Sequence, residues 1–520
     1  MSDMEYMTPE QAWNELRKYR DDYYRRYIAA YSGDRAELNH TSEPGMFWAR
    51  PGKAKVHVPI AADIAATSAD LMFAEEPAFT CYDEATEDNE SDQQHRLDEL
   101  VVLNNVHGKL NEACESDAAL GDVYLKLNWN SKDVEYPVLA VVQGDSALPE
   151  YQLGLLKVIH FFSVVKASSD TEVVIRLYER YEKGKIISGI YRGSANDLGT
   201  ALPDGALAQL GIEQEITAPI DEMLAVHIPN MRPNRRYRSS YMGRSDLDGL
   251  RGLMDSLDET YSSWMRDIRL AKARLIVPAE YLRRKPADMF GDDRRFTYEF
   301  DEDIETLVAL DINTMDGSAP GITSSQFAIR ATEHAQTCID IIKQIVTTAG
   351  YAPQSFGIDI EGMAQSGTAL HIREKKSYNT RGKKQTYWRT PLESIMTAMV
   401  HLDAVLFPGK GSDKDDTVKV RFADSMSNDL STMSSAMQML NSAVAISTQM
   451  KVESLHPDWT KKQINEEVER IKMENGLSMD EPDMGLGDFH TPTEQEEELQ
   501  EQEQEPEPER DESQEIYGGR

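Results

Sequence analysis

The strongest structural signal in this chain is an uninterrupted stripe of apolar side chains between residues 246 and 277. These side chains recur at alternating steps of three and four residues, the spacing of one helix face. Ser245, with Asp248 three residues later, predicts the start of the helix, and Pro278 predicts its end. A helix of these 32 residues would be about 48 Å long and would need a partner helix, in this chain or in a neighbouring subunit. The stripe consists of Leu247, Leu250, Met254, Leu257, Tyr261, Trp264, Ile268, Ala271 and Leu275.

A second helix, predicted over residues 323–349, supplies such a partner. Its end is predicted at Gly350, because glycine favours the turn that terminates a helix. His334 lies on its apolar face. Since no second ligand stands at helical spacing, we interpret it as a buried, hydrogen-bonded histidine rather than a metal ligand. The face carries Phe327, Ala331, Cys338, Ile341, Ile345 and Ala349.

Residues 279–322, between the two helices, predict a small β-rich insertion. Alternating apolar residues indicate strands at 296–300 and 306–312, followed by Gly317 and Gly321. Two long helices that bracket such an insertion would form a stalk with a tip. The insertion begins with a basic cluster of Arg283, Arg284, Lys285, Arg294 and Arg295.

The first 240 residues predict a mixed α+β region. Thr8, Pro9 and Gln11 indicate a capping box for a helix that runs to about Tyr31, along which tyrosines alternate with basic residues. Base stacking and an amphipathic packed seam both fit that mixture, and the packed seam is favoured. A second helix is predicted at Ile60–Phe73. A mostly antiparallel sheet is predicted from strands at 123–127, 138–142, 155–165, 172–178 and 185–191, with a turn at Gly184.

The chain after Gly350 predicts an irregular loop at 351–366 and then a long helix to about Leu406. The helix begins with a basic stretch, residues 373–389, that also holds Tyr378, Tyr387 and Trp388. Nucleic-acid contact and pairing with the acidic body of this or a neighbouring chain both fit the stretch, and pairing is favoured. A strand at 417–422, two helices within 426–478 and a disordered acidic tail at 479–520 complete the prediction.

The charge distribution excludes a protein that grips nucleic acid over most of its surface. The formal net charge is −35, and from Glu474 onward there are 17 acidic and 2 basic residues. The preceding 473 residues remain acidic, with a net charge of −20. The three cysteines, Cys81, Cys114 and Cys338, form no CxxC pair and fit a reducing compartment. No secretory signal and no apolar run long enough for a membrane span are visible.

No catalytic motif is recognisable, so the sequence predicts a non-enzyme without a cofactor. The segment Pro408–Ser412 departs from a phosphate-binding loop, since Ala404 stands where the first glycine is needed and Gly411 where a hydroxyl is needed. The acidic runs at 301–303 and 413–416 are interpreted as solvated loops. Two alternatives remain open at this point, namely a metal-dependent nuclease with dispersed carboxylates and a coiled-coil scaffold protein.

Three local motifs, in this order around a helix–β-insertion–helix arrangement, resemble the portal proteins of tailed bacteriophages, specifically the siphophage-type family. The first motif is the helix and stop at 61–77, in which Ala74 takes the place of a usual glycine. The second, Gly243 to Leu247, opens the long helix, and the third, Ser366 to Leu370, opens the helix after the irregular loop. The resemblance covers residues 13–471.

The resemblance implies a ring, typically of twelve subunits, at one capsid vertex. That ring would form the channel for packaging and ejection of double-stranded DNA. The implied α+β portal fold has a wing at 1–240 with 367–425, stem helices at 241–278 and 323–350, a clip at 279–322, a tunnel loop at 351–366 and a helical crown at 426–478.

The resemblance also implies partners and functional residues. The terminase large subunit and later a head-completion or adaptor protein would dock on the clip, and the major capsid and scaffolding proteins would surround the ring. The implied location is the virion, after assembly in the host cytoplasm, with no membrane involved. The implied residues are Arg283, Arg284, Lys285, Arg294 and Arg295 for clip docking; Leu247, Leu250, Met254, Leu257, Tyr261, Trp264 and Ile268 for stem packing; and Pro353, Gln354, Ser355, Phe356, Gly357, Asp359, Glu361 and Gly362 for the DNA-facing tunnel loop.

Overall fold

The computed structural model shows a mixed helix and sheet protein, which confirms the predicted α+β class. Two compact units divide the chain, residues 1–433 and residues 434–520. The structure describes residues 6–51, 55–82, 92–130, 134–167, 173–203, 205–271, 274–276, 283–286, 296–299, 323–325, 329–358, 367–422, 430–443, 445–456 and 461–474. Within these ranges, no helix combines the length and apolarity needed to cross a bilayer.

The N-terminal helices begin as predicted and bury their aromatic side chains. The Thr8 hydroxyl accepts the Gln11 N–H at 3.3 Å, and the Gln11 side chain accepts the Thr8 N–H at 2.9 Å, so the capping box is confirmed. Trp13, Tyr23 and Tyr24 are buried, which confirms the packed-seam interpretation. The segment comprises α1 (Pro9–Tyr19), a π-helical stretch (Arg20–Tyr24), α2 (Arg25–Ser32) and α3 (Arg35–Thr41).

Two antiparallel sheets form the β portion of the first unit. Their strands are β2 Asp122–Asn128, β3 Val138–Gln143, β4 Ala147–Gln152, β5 Leu155–Ala167, β6 Val174–Glu182, β7 Lys185–Gly193, β8 Thr200–Ala201, β9 Glu215–Thr217 and β10 Ala225–Pro229. The smaller sheet has the order β10-β2-β3, and the larger has the order β4-β5-β6-β7-β8 with β9 also paired to β7. Gly184 makes the predicted turn between β6 and β7, with a left-handed φ of 71°.

The main core lies between these sheets and helices from distant parts of the chain. Helix α4 (Ile60–Phe73) has the predicted bounds, and α10 (Gly367–Leu406) reaches the predicted end. Trp388, Leu392 and Ile395 of α10 are fully buried in this core. Strand β1 (Ala78–Tyr82) pairs with the predicted C-terminal strand, β15 (Thr417–Arg421). Strand β1 and the helices α5 (Asp92–Leu103), α6 (Val106–Leu120) and α7 (Gly205–Gln209) were not predicted.

The two long helices predicted from the sequence form a helical hairpin of α8 (Arg251–Leu270) and α9 (Ala331–Ala349). Both helices are shorter than predicted. The predicted start of α8 near residue 246 is wrong because Gly249 adopts a left-handed φ of 80°, which interrupts helical geometry. The Ser245 hydroxyl caps a turn instead, accepting the Leu247 N–H at 3.0 Å. The predicted start of α9 at 323 is also wrong, because 323–325 form a strand. Gly350 ends α9 as predicted.

In the sequence between α8 and α9, the described residues form short paired strands. Strand β11 (Arg274–Ile276) pairs with β14 (Thr323–Ser325), and β12 (Arg283–Pro286) pairs with β13 (Phe296–Glu299). Strand β13 therefore matches the predicted strand at 296–300 closely. Residues 306–312, Arg294, Arg295 and Phe327 lie outside the described residues.

The second unit contains short helices. Where two helices were predicted, the chain from residue 430 forms α11 (Leu430–Ser442), α12 (Thr448–Leu455) and α13 (Lys461–Glu474). Val452 of α12 packs against Ile464 and Val468 of α13. The predicted acidic tail at 479–520 lies outside the described residues.

Candidate functional site

The base of the helical hairpin packs firmly onto α4. Leu247, Leu250, Met254 and Leu257 of the predicted stripe are buried, and they share one cluster with side chains of α9 and α4. The stripe loses its cover farther along α8, where Tyr261 and Trp264 are half-buried and Ile268 is 40% exposed. The hairpin is therefore anchored at its base, and its partners there are Ile60, Ala61, Ile64, Cys338, Ile345, Val346 and Ala349.

Polar contacts hold the two helices together toward the other end of the hairpin. The His334 Nε2 atom lies 3.0 Å from Asp267 Oδ2, and its ring stacks on Trp264. Arg330 donates to the same carboxylate at 3.1 Å. The hydrogen bonds from His334 and Arg330 lower the pKa of Asp267. His334 is hydrogen-bonded as interpreted, but it is half-buried rather than buried.

Two N-terminal stretches, residues 46–51 and 55–58, form hydrogen bonds with α8. Asp258 accepts hydrogen bonds from the Trp48 indole and the Val58 N–H, each at 2.8 Å, and its Oδ2 atom lies 2.8 Å from His57 Nδ1. The Ser262 hydroxyl accepts the Val56 N–H at 2.8 Å. The sequence analysis did not predict this contact. Its one local indication was the pair of acids beside the apolar stripe, Asp255 and Asp258.

A buried ion pair joins the start of the hairpin to the long helix α10 and to the loop after α9. Asp246 Oδ2 accepts from Lys384 Nζ at 2.6 Å and from the Tyr351 hydroxyl at 2.6 Å. Its other oxygen accepts from Asn230 at 2.9 Å, and Lys384 also donates to the Ser68 hydroxyl of α4 at 2.5 Å. Two of the three resemblance motifs, 61–77 and 243–247, thus meet at one point, which we call the junction: Ser68, Asn230, Asp246, Tyr351 and Lys384.

The electrostatics of the junction favour the charged pair. Burial by itself lowers the pKa of Lys384, but the neighbouring Asp246 carboxylate and Tyr351 raise it above its usual range. Burial raises the pKa of Tyr351, which keeps its hydroxyl protonated as a donor to Asp246. The sequence prediction that the basic stretch pairs with acidic groups of the body is therefore right for Lys384.

Next to the junction, Asp117 of α6 is fully buried with less compensation. The Trp388 indole donates to its Oδ2 atom at 3.0 Å, and Oδ1 has no hydrogen-bond partner among the described residues. Burial raises the pKa of Asp117 well above the usual carboxyl range, against the opposing influence of Lys384. Trp388 is fully buried here, so it cannot stack on a nucleic-acid base.

The first half of the predicted irregular loop is anchored to the protein body. Tyr351 and Ala352 are buried, and the Ala352 N–H donates to the Ser377 hydroxyl of α10 at 2.9 Å. Pro353–Phe356 form a 3-10 turn that ends at Gly357, whose φ is 69°. Asp359, Glu361 and Gly362 lie outside the described residues. The predicted tunnel-loop residues are thus divided between a packed turn, Pro353, Gln354, Ser355, Phe356 and Gly357, and a part that is not described.

The segment with the faint likeness to a phosphate-binding loop is occupied by side-chain contacts. Lys410 Nζ donates to Glu135 at 2.6 Å, and the Ser412 hydroxyl donates to Asp403 at 2.7 Å. Asp403 also forms a buried ion pair with Arg96 at 2.8 Å. Among the residues that the structure describes, no group of three or more candidate ligands is placed to hold a metal ion.

Comparison with known proteins identifies the family. Residues 29–479 match the family described as phage portal proteins of the SPP1 Gp6-like type. The chain belongs to this portal family. Its members are structural, non-enzymatic proteins. The sequence-based recognition of a portal protein is therefore confirmed.

Two solved structures are remotely similar to this portal-family chain. A chain from the neck of a native GTA particle, computed with C12 symmetry, is 11% identical with a TM-score of 0.39, and the match covers 83% of this chain and 91% of that one. A chain from the neck of an empty GTA particle, computed with C6 symmetry, is 12% identical with a TM-score of 0.39, covering 76% and 90%. No match was found among curated proteins.

Proposed function

We propose that this protein assembles into a ring of twelve copies at one vertex of the capsid. The ring would form the channel through which double-stranded DNA is packaged and ejected. The single observation that carries this proposal is the portal-family match, which extends over residues 29–479. In this function, the protein reaches the virion after assembly in the host cytoplasm, beside major capsid and scaffolding proteins.

The hairpin of α8 and α9 is the proposed stem, with residues 241–278 and 323–350 as its bounds. The exposed residues of α9 include the acids Glu333 and Asp340 and no lysine or arginine, while threonine and glutamine make up most of the rest. The one lysine of α9, Lys343, is half-buried and lies 4.0 Å from Asp340. A helix face with so little positive charge offers few phosphate contacts, so DNA would slide past it. This surface therefore supports a conduit rather than a DNA-gripping protein.

The remaining parts receive the following proposed roles. Residues 1–240 with 367–425 are the wing, and residues 426–478 are the crown. The insertion at 279–322 is the clip, which docks the terminase large subunit and later the head-completion or adaptor protein. Its support is the basic sequence of β12, which carries Arg283, Arg284 and Lys285, because cationic residues favour an acidic partner. Residues 351–366 are the tunnel loop.

Native mass measurement of the purified protein, with negative-stain images, tests this function. The expected result is a closed ring with a central hole and a mass many times the 58.7 kDa of one chain. The control is the same measurement over a range of protein concentrations, because ring assembly follows mass action. A protein that stays monomeric or dimeric at every concentration, with or without scaffolding protein, contradicts the proposal.

A further inference from the structure

Two exposed surfaces of the first unit carry opposite charges that have no partner among the described residues. On α4, Asp63 and Asp70 are exposed and form no side-chain hydrogen bond or ion pair with any described residue. On α10, Lys375 and Lys383 are exposed and likewise unpaired within the described part of the chain. Charged side chains are readily solvated, so their exposure alone does not indicate a binding surface. The spacing of the two acids and of the two lysines, and the residues around them, are more informative.

The acidic surface is a groove rather than a flat face. Asp70 and Thr67 line two cavities, of about 290 Å³ and about 380 Å³, on either side of the Pro353–Phe356 turn. Asp63 lines the larger cavity, and Glu374 adds a third carboxylate to the smaller one. Apolar side chains complete the walls, namely Leu71, Ile342, Phe356 and Ile358. We call this the acidic groove.

The basic surface consists of exposed cations spread along α10. Its exposed residues between 375 and 390 include Lys375, Lys376, Lys383 and Arg389 and no acid. A Cβ atom added at Gly382 would have no neighbouring atom within 4 Å, so this part of the helix surface is accessible to a partner. Lys375 and Lys383 are eight residues apart, about 12 Å along a helix, and Asp63 and Asp70 are seven apart, about 10.5 Å. We call this the basic stripe.

A closed ring needs two different, complementary patches on each copy, because each subunit contacts its neighbours head to tail. The acidic groove and the basic stripe have opposite charge and similar spacing, and one chain carries both. We propose that the basic stripe of α10 docks into the acidic groove of a second copy of this chain. This inference rests on the proposed ring function. It places the neighbour's helix against the turn that begins the loop after α9.

A charge-swap experiment tests the proposal. One variant, D63K/D70K, makes both surfaces basic, and the other, K375E/K383E, makes both acidic. Each alone should form rings about tenfold less well than the unaltered chain, because like charges would face each other at every contact. An equimolar mixture should recover rings, since each groove then meets a stripe of opposite charge. Native mass spectrometry with negative-stain counting measures both effects.

The matched control is K183E/D221K, which reverses an exposed ion pair of the sheet region, and it should assemble like the unaltered chain. Recovery in the mixture also shows that both variants fold. Undiminished ring formation by either variant alone, or a mixture that stays dispersed, overturns the interface while the ring proposal stands. An unaltered chain that forms no ring at any concentration overturns the ring proposal and this interface together.

Discussion

At the residue scale, the junction shows how hydrogen bonds stabilise the buried ion pair of Asp246 and Lys384. Each oxygen of Asp246 accepts at least one hydrogen bond, and Lys384 donates to two oxygens. Removing one member of such a pair leaves the other charge buried without compensation, which typically costs about 3–5 kcal/mol. Asp117 lies close by and lacks this degree of compensation, since one of its oxygens is unpaired.

Asp117→Asn is expected to change the pH dependence of stability. Burial raises the pKa of Asp117 in the folded protein, so its favourable contribution is complete below the ordinary carboxyl pKa and is lost as pH rises toward the folded value. The variant should therefore gain stability relative to the unaltered protein between pH 4 and pH 7. The gain at pH 7 should be about 1 kcal/mol or more, measured by urea unfolding.

The control for this experiment is Asp221→Asn, at an exposed carboxylate paired only with Lys183. It should show almost no change in relative stability over the same pH range. A difference between Asp117→Asn and the unaltered protein that stays constant with pH, or that falls as pH rises, would show that Asp117 is already ionised in the folded protein.

At the element scale, the hairpin is stabilised most strongly at its base. Ile345 is fully buried against α8 and α4, while Ile339, on the same helix, is 38% exposed. Both residues are isoleucines in α9, so helix propensity is the same at the two positions. The difference in burial alone should therefore decide the cost of truncating each side chain.

Ile345→Ala should lower the free energy of unfolding by about 2–5 kcal/mol, because it removes buried carbons and leaves a cavity. Ile339→Ala should lower it by about 1 kcal/mol or less in the isolated chain. Chemical denaturation of both variants under the same conditions makes the comparison. Equal losses for the two variants would mean that the base of the hairpin is not the packed end.

The loop after α9 allows a separate test of its proposed role. Deleting residues 359–362 shortens the loop but keeps the packed Pro353–Phe356 turn and its contact with Ser377. We expect this deletion to impair DNA packaging while rings still form, because the loop would no longer reach the DNA. The control replaces the same four residues with alanine, which keeps the length. Loss of ring assembly in the deletion would contradict the tunnel-loop assignment.

Local signals explain which elements the sequence could predict. The capping box at Thr8, the turn at Gly184 and the bounds of α4 each depend on neighbouring residues, and all are confirmed. The start of α8 was misplaced because the apolar spacing continues through Gly249, and only the backbone shows its left-handed conformation. Strand β1 was missed because its partner, β15, lies more than 300 residues away.

The same reasoning applies to the candidate site. The apolar stripe correctly indicated that Leu247 and Leu250 are buried, although both precede the helix. The junction could not be predicted, because Lys384 lies 138 residues from Asp246 and 316 from Ser68. In a linear sequence, Lys384 is one of many cations in a basic stretch. Only the fold distinguishes it from the exposed Lys383 beside it.

At the scale of the whole molecule, net charge would govern how the proposed channel interacts with DNA. The formal charge is −35, and residues 1–473 keep a net charge of −20. A net charge of this sign repels phosphates at long range and opposes the phosphate neutralisation that releases condensed counterions from DNA. A channel that transports DNA benefits from this property, because every tight phosphate contact would slow the movement.

Neither the full chain nor a chain that ends at Met473 should retain linear double-stranded DNA at physiological salt. Removing the acidic tail leaves the remaining charge negative, so truncation should not create a DNA-binding protein. An electrophoretic mobility-shift assay over a range of salt concentrations measures this. DNA retention by the truncated chain that falls steeply with salt would indicate a phosphate-binding surface that the tail covers.

The N-terminal stretches at 46–51 and 55–58 have a consequence for how the protein is made. Their contacts with Asp258 and Ser262 join parts of the chain that are about 200 residues apart, and the N-terminal part leaves the ribosome first. At about 5–20 residues per second, α9 follows α8 after roughly 3–12 seconds of translation. During that interval, α8 has the N-terminal stretches and α4 as available partners. We therefore expect nascent α8 to dock on the N-terminal region first. Helix α9 would then pack against α8 and α4 after these two are already in contact.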